Sequence, residues 1–146
     1  MNKIIWVVAV LALLLDQASK FLVSRSLKLN ESLAVIKNTF HITLVHNTGA
    51  AFGSFKEQTL FFIIIASLAV AAIVIYIRKT RKAFFLRDAA LALILGGALG
   101  NLTDRLRLGY VIDFLDFRIW PVFNVADSAV TIGAIMLVIC IPYSSK

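Results

Sequence analysis

Four long apolar blocks divide the chain, and they predict four membrane-spanning helices over residues 4–23, 59–77, 86–104 and 125–143. The second block holds 19 consecutive uncharged residues, about the length that crosses the hydrocarbon core of a bilayer. Lys3 and the first block imitate a secretory signal peptide, but a small-residue cleavage pattern is missing and three more apolar blocks follow. We therefore expect a retained first helix and one integral membrane domain over residues 1–146.

The segment between the first two blocks, residues 24–58, has a different pattern. Over residues 40–45 the side chains alternate with the period of a β-strand, and residues 47–49 then carry a turn signal, Asn-Thr-Gly. This pattern predicts a small sheet at the membrane surface. The fold class expected is an all-α membrane protein of four transmembrane helices with a small β-sheet between helices 1 and 2.

Composition agrees with a membrane protein and excludes several other classes. The 146 residues are 60% hydrophobic and 16% charged, whereas a soluble domain is about half apolar and a quarter charged. With 15 Lys and Arg against 8 Asp and Glu, the net charge is +7, which in so apolar a chain fits membrane lipids rather than nucleic acid. The single cysteine, Cys140, lies in an apolar run and is expected to be a packing residue. We expect no metal and no cofactor.

The distribution of cations predicts the orientation in the membrane. Five Lys and Arg residues fall between positions 78 and 87, and only Asp88 opposes them. Loops rich in Lys and Arg remain in the cytoplasm. Residues 78–88 and both termini are therefore expected to be cytoplasmic, and residues 24–58 to lie outside. The opposite side also carries cations, among them Lys28, Lys37 and Lys56.

Acidic residues mark the candidate site. Four of the eight acids fall within the 24 residues that link the third and fourth blocks: Asp104, Asp113, Asp116 and Asp127. Ionisable groups at membrane depth are costly and usually indicate a functional site. Asn101, Asp104 and Arg105 share one helix face by their spacing. Just before them, Gly96, Gly97 and Gly100 permit close approach of a neighbouring helix or of an extended substrate, and Gly109 permits a break in the helix.

Most of these features also have a purely structural interpretation. Asn124 followed by Asp127 is a plausible helix N-cap, Asp16 with Lys20 is an ordinary i, i+4 ion pair, and Asp104 could simply form a salt bridge with Arg105. The convergence of two aspartates from different segments is harder to explain in this way. Two carboxylates in a poorly hydrated site share one proton, so that one acts as a base and the other as an acid.

That chemistry is typical of an aspartic protease, and two other classes stay open at this point. A small transporter or proton conductor would also gather acids, although near the middle of its spans and often with an internal repeat. A non-catalytic scaffold would tolerate Asn in place of both aspartates.

Five stretches of the chain, in order, resemble the lipoprotein signal peptidases, also called signal peptidase II. They are Asp16-Gln-Ala-Ser-Lys20, Asn47-Thr-Gly-Ala-Ala-Phe-Gly53, Gly96-Gly-Ala-Leu-Gly-Asn-Leu-Thr-Asp-Arg105, Val111-Ile-Asp113-Phe114 and Phe123-Asn-Val-Ala-Asp127. The resemblance implies an intramembrane aspartyl endopeptidase of the bacterial inner membrane. It would remove the signal peptide from prolipoproteins by cutting before a cysteine that carries a diacylglyceryl group.

The resemblance also implies residue roles. Asp113 and Asp127 would be the catalytic pair. Four residues would bind substrate or orient the pair: Asn47, Asn101, Arg105 and Asn124. Six would support them: Asp16, Lys20, Gly49, Gly97, Gly100 and Asp104, the last in an ion-pair network around Arg105. The sheet would form a cradle on the periplasmic face, and globomycin-type cyclic peptides would inhibit a monomeric enzyme. The link from Asp113 to Asp127 is short for this family, as is the C-terminal tail.

Overall fold

The computed structural model describes residues 3–49, 59–80 and 84–140, and within them the chain forms four helices and three strands. The helices are α1 (Lys3–Ser26), α2 (Thr59–Lys79), α3 (Phe85–Leu108) and α4 (Val125–Cys140), and the strands are β1 (Ser32–Ile36), β2 (Phe40–Asn47) and β3 (Val111–Asp116). Helices α1, α2 and α3 are long and apolar enough to cross a membrane, and α4 is an apolar helix of 16 residues. The prediction of a multi-pass, mostly helical membrane protein is confirmed. Residues 141–143 of the fourth predicted span lie outside the described residues.

Helix α3 is the centre of the bundle, with α1, α2 and α4 packed around it. Its glycines allow this packing, because a Cβ at Gly96 would lie 2.5 Å from the carbonyl oxygen of Ala9 in α1, and one at Gly97 would collide with the Ala126 carbonyl in α4. The small-residue face is therefore used by neighbouring helices. Apolar side chains on the outer faces stay exposed, as expected of surfaces that meet lipid, for example Leu15 and Leu68.

The sheet is antiparallel with the strand order β1-β2-β3. The prediction that it lies between helices 1 and 2 is correct for β1 and β2 and wrong for β3, which comes from the link between α3 and α4. Most of the β3 side chains are buried, so residues 111–116 do not show the alternation of a half-exposed strand. The third strand therefore gives no periodic signal in the sequence.

A glycine turn leads from α3 directly into β3. Gly109 adopts a left-handed conformation (φ 82°), and its N–H donates to the Arg105 carbonyl at 3.1 Å, which ends the helix. The carbonyl of Gly109 accepts a hydrogen bond from the Thr59 hydroxyl at the start of α2 (2.8 Å). The end of α3, the start of α2, the start of α4 and the sheet consequently meet at one end of the bundle.

Candidate active site

Asp113 lies on β3 and is 2% exposed. Its Oδ1 accepts a hydrogen bond from Asn124 Nδ2 at 2.6 Å, and its Oδ2 accepts one from Asn47 Nδ2 at 2.8 Å. The pairing of β2 with β3 brings Asn47 to this position. The Oδ1 atom of Asn47 accepts the Gly49 N–H at 3.0 Å, so Gly49 fixes which end of the Asn47 amide faces the carboxylate.

Asp127 lies in the first turn of α4. Its Oδ1 accepts from Asn101 Nδ2 at 2.7 Å, and its Oδ2 accepts the backbone N–H of Asn124 at 3.3 Å. In return, Asn124 Oδ1 accepts the backbone N–H of Asp127 at 2.8 Å. This reciprocal pair is a capping box, so the structural interpretation of Asn124 as an N-cap is correct. The same Asn124 side chain also donates to Asp113, so one residue both caps α4 and holds a carboxyl group of the site.

The environment of Asp113 favours a retained proton. Burial is the main cause that raises the pKa of this carboxyl group to about 7, and the nearby charge of Asp127 also raises it. The Asn47 and Asn124 hydrogen bonds and the Lys20 charge act in the opposite direction. The charge of Asp127 disfavours the ionised form of Asp113, so the two carboxyl groups do not both ionise cheaply. A pair with one proton can supply both an acid and a base near neutral pH.

Behind the pair lies a buried group of charges that we call the junction: Asp16, Lys20 and Asp104. Lys20 is 2% exposed, and its Nζ lies 2.8 Å from Asp16 Oδ2 and 2.8 Å from Asp104 Oδ2. Its third hydrogen bond goes to Asn101 Oδ1 at 3.0 Å. The ammonium group therefore uses all three of its donors.

The junction also holds the backbone beside each aspartate of the pair. Asp16 Oδ1 accepts the N–H of Ala126 at 2.9 Å, one residue before Asp127. Asp104 Oδ2 accepts the N–H of Ile112 at 3.2 Å, one residue before Asp113. A Cβ at Gly100 would lie 2.5 Å from Asp16 Oδ2, so glycine leaves the room that this carboxylate occupies.

One detail of the expected arrangement is wrong. The carboxylate of Asp104 forms its ion pair with Lys20, and not with Arg105 as the sequence suggested. In the structure, the side chain of Asp104 faces α1, where Gln17 Nε2 also donates to its Oδ1 at 2.9 Å. The guanidinium of Arg105 instead lies over the Phe62 ring of α2, 5.0 Å from its centroid.

A cavity of about 250 Å³ opens beside the two aspartates. Its lining includes five residues that the sequence predicted for the site, together with Phe62 and the segment 120–123: Asn47, Gly49, Arg105, Asp113 and Asp127. Asn101, Asn124 and the junction lie behind this wall. The cavity therefore offers amide, guanidinium and carboxyl groups to an extended peptide.

Sequence reasoning missed two of the residues that build this region, Gln17 and Phe62. Gln17 donates to Asp104 Oδ1 and to the Gly100 carbonyl (3.3 Å), and its signal was a polar side chain inside an apolar block. Phe62 gives no such signal, because an aromatic residue in a membrane span is ordinary.

The fold and the site together define the class of the protein: a multi-pass membrane protein with a pair of aspartates, Asp113 buried and Asp127 half-buried, where its sheet meets its helices. The family model of Signal peptidase (SPase) II matches residues 8–143. The lipoprotein signal peptidase of Halothermothrix orenii is 48% identical over 135 residues, which cover 92% of each chain. That of Moorella thermoacetica is 49% identical over 132 residues, 88% of this chain and 86% of the relative.

Solved structures agree with this comparison. Two bacterial membrane enzymes superpose with TM-scores of 0.92 and 0.87 at 33% and 34% identity, over 100% and 96% of this chain and 92% and 93% of theirs. The chain belongs to the signal peptidase II family, so the resemblance found in its motifs is confirmed, and the protein is a peptidase of the aspartic type.

Proposed function

We propose that the protein removes the signal peptide from diacylglyceryl-modified prolipoproteins, cleaving before the lipidated cysteine, with Asp113 and Asp127 as the catalytic pair. The observation that carries the proposal is the hydrogen bonding of these two carboxyl groups. Each of their four oxygens accepts an N–H from a fixed amide: those of Asp113 from Asn47 and Asn124, those of Asp127 from Asn101 and the Asn124 backbone. A helix N-cap alone would not require hydrogen bonds to all four of these carboxyl oxygens.

In the proposed reaction, the pair begins with one proton. The ionised carboxylate takes a proton from a water molecule, whose oxygen attacks the scissile carbonyl carbon, while the protonated carboxyl gives its proton to the carbonyl oxygen. The tetrahedral intermediate then collapses: the proton first taken from water passes to the leaving amine, the C–N bond breaks, and one hydroxyl proton returns to the carboxylate that gave it. The pair is thereby restored with one proton. Asn47 and Arg105, which line the cavity, would hold the substrate backbone.

The position of the acids disfavours a transporter. Asp113 lies on the sheet and Asp127 in the first turn of α4, both at one end of the bundle rather than at the middle of the spans. We further propose a monomer in the bacterial inner membrane, as one domain over residues 1–146, with both termini in the cytoplasm and the sheet in the periplasm. Membrane lipids would surround it, and globomycin-type peptides would inhibit it.

The test is cleavage of a diacylglyceryl-modified prolipoprotein by the purified protein in detergent or lipid. Asp113→Asn and Asp127→Asn should each abolish release of the signal peptide, because Asn can hydrogen-bond but cannot carry the proton. The double variant should be scarcely worse than either single variant, since the residues act as a unit. Glu31→Gln, on the exposed part of the sheet segment, is the matched control and should cleave normally. Cleavage by either single Asn variant at the normal rate would refute the pair.

A further inference from the structure

A second cavity of about 620 Å³ lies on the other side of Asp127. One wall is the loop between β3 and α4, with Phe117, Ile119 and Trp120, and the opposite wall is the first two turns of α4, with Thr131 and Ile132. Its volume is within the range of about 300–1,000 Å³ that is typical of small-ligand sites. We call this cavity the lateral groove.

The loop wall of the lateral groove is fixed by the fold. Leu115 and Phe123 exchange backbone hydrogen bonds of 2.8 and 3.1 Å, which closes the loop at its base. Asp116 accepts the Arg118 N–H at 2.9 Å and the Thr43 hydroxyl at 2.7 Å, which ties the loop to β2. The groove is therefore formed before any ligand arrives.

Aromatic stacking adds to this rigidity. The Phe117 ring lies 4.8 Å from that of Phe40 and is stacked on that of Phe123 at 5.9 Å between centroids. Three rings, one from β2 and two from the loop between β3 and α4, therefore support one another on one side of the groove.

The lining of the lateral groove is mostly apolar, and several of its apolar side chains are exposed. Ile119 is 93% exposed, Trp120 62% and Ile132 52%, all on a helical membrane protein where such surfaces meet hydrocarbon or the interface. The hydroxyl of Ser128 donates to the Asn124 carbonyl at 3.0 Å, so this polar group is satisfied by its own helix. An apolar chain suits this lining, and a polar peptide does not.

The lateral groove and the polar cavity share a boundary. Trp120, Phe123 and Asp127 line both of them, so a substrate held at Asp127 can extend into both at once. We propose that the lateral groove binds an acyl chain carried by the substrate residue next to the scissile bond, while the polar cavity holds the peptide. This inference rests on the proposed function, and it assigns the recognition of the lipid to residues 117–123 and 128–132.

Filling the groove should therefore discriminate between chain lengths. Thr131→Trp should lower kcat/KM for a dipalmitoylglyceryl substrate by about tenfold or more, since a misfit of even one methylene in an apolar pocket costs about 10- to 200-fold. The same variant should cleave a dihexanoylglyceryl substrate nearly as well as the wild type does. Leu15→Trp, which adds the same ring to an exposed position on α1, is the control and should match the wild type on both substrates.

A photolabel provides a test that needs no variant. A substrate with a diazirine near the end of its acyl chain, bound to wild-type protein, should place its adducts on residues 117–123 and 128–132, and excess phospholipid should not remove them. Adducts on α1 or α2, loss of labelling to phospholipid, or an unchanged chain-length ratio in a folded Thr131→Trp would each overturn the inference. If the wild type cleaves neither substrate, the proposed function itself fails, which is a different result.

Discussion

Three asparagines orient the two aspartates, and each asparagine is itself oriented by a donor on its oxygen. The Oδ1 atom of Asn47 accepts the Gly49 N–H, that of Asn124 accepts the Asp127 N–H, and that of Asn101 accepts Lys20 Nζ. Because an amide oxygen that is occupied by a donor leaves the NH2 group to face the other way, each Nδ2 must point at a carboxylate. The orientation of the three amides is therefore set by backbone N–H groups and an ammonium group, which can donate hydrogen bonds but cannot accept them.

The Asn47 side chain influences the pH dependence of the aspartate pair. The pKa of Asp113 is about 7, because burial and the Asp127 charge raise it more than the Asn47 hydrogen bond and the other opposing effects lower it. Asn47→Ala should raise this pKa, so the proton needed by the pair is lost at a higher pH. We expect the alkaline limb of the kcat/KM profile to move up by about one pH unit, the value of a hydrogen bond to a charged group.

A matched variant on the same sheet controls for this change. Thr43→Ala removes a hydrogen bond to Asp116 instead, and its profile should stay in place. An alkaline limb that stays fixed in Asn47→Ala, or that moves downward, would contradict the assignment of Asn47 to Asp113.

The sequence predicts many of the residues in the site, but it does not predict which of them form ion pairs with one another. Acids in an apolar chain identify Asp113 and Asp127, and spacing places Asn101 beside Arg105. The partner of Asp104 could not be predicted, because the adjacent Arg105 is an equally good cation in the sequence. Only the packing of α1 against α3 brings Lys20 to Asp104, and sequence spacing contains no information about that contact.

At the scale of elements, the junction connects α1 to the two segments that carry the aspartates. Lys20→Met would leave the carboxylates of Asp16 and Asp104 buried without their cation. Breaking a buried pair in this way costs about 3–5 kcal/mol. We expect a large fall in the thermal midpoint in detergent, together with a loss of kcat, since Asn101 loses one of its two donors.

Two further variants decide whether charge is the cause. Lys28→Met removes an exposed lysine of the segment after α1 and should change the midpoint little. Adding Asp104→Asn to Lys20→Met removes one uncompensated charge and should recover part of the lost stability. If Lys20→Met were as stable as the wild type, the junction would not hold these elements together.

The contact of α3 with α4 gives another prediction. A Cβ at Gly97 would collide with the Ala126 carbonyl, so Gly97→Ala must displace the first turn of α4 and with it Asp127. Overpacking of this kind costs about 1–3 kcal/mol of stability, and a displacement of about 1 Å at the reacting group costs on the order of 10²-fold in rate. The rate should therefore fall far more than the midpoint does.

A control of similar volume separates packing from helix propensity. Ala69→Val enlarges an exposed position on α2 and should leave cleavage and midpoint almost unchanged. Full activity in Gly97→Ala would mean that α4 can move without moving the aspartate.

The elements themselves differ in how far the sequence predicts them. The helices can be predicted from the apolar blocks, and β2 can be predicted because apolar and polar residues alternate along it. β3 is not, because its side chains are mostly buried between the sheet and the bundle, and its pairing with β2 is a contact between residues about 70 positions apart. The strand that carries Asp113 can therefore be recognised only from the tertiary structure, and not from the local sequence.

At the scale of the molecule, the two ends of the bundle have different chemistry. The aspartates, the sheet and both cavities that touch Asp127 lie at the end where α1 and α3 finish and where α2 and α4 begin. Arg78 and Lys79 end α2 at the opposite end, and Arg87 lies in the first turn of α3 there. Lys- and Arg-rich ends face the cytoplasm. The site is therefore expected to face outward, where a lipid-modified substrate would reach it from the outer leaflet.

This orientation can be measured with single cysteines. Cys140 is replaced by Ala, which removes the chain's one natural thiol, and Ser32→Cys or Thr80→Cys then reports each end. In spheroplasts, a membrane-impermeant maleimide should label Ser32→Cys, which is exposed on β1, and should label Thr80→Cys only after the membrane is opened. Cleavage activity of both variants shows that the labelled protein is folded. Labelling of Thr80→Cys in intact spheroplasts, with Ser32→Cys protected, would show that the orientation is the opposite of the one proposed. The aspartates would then lie on the cytoplasmic side, and a substrate could not reach them from the outer leaflet.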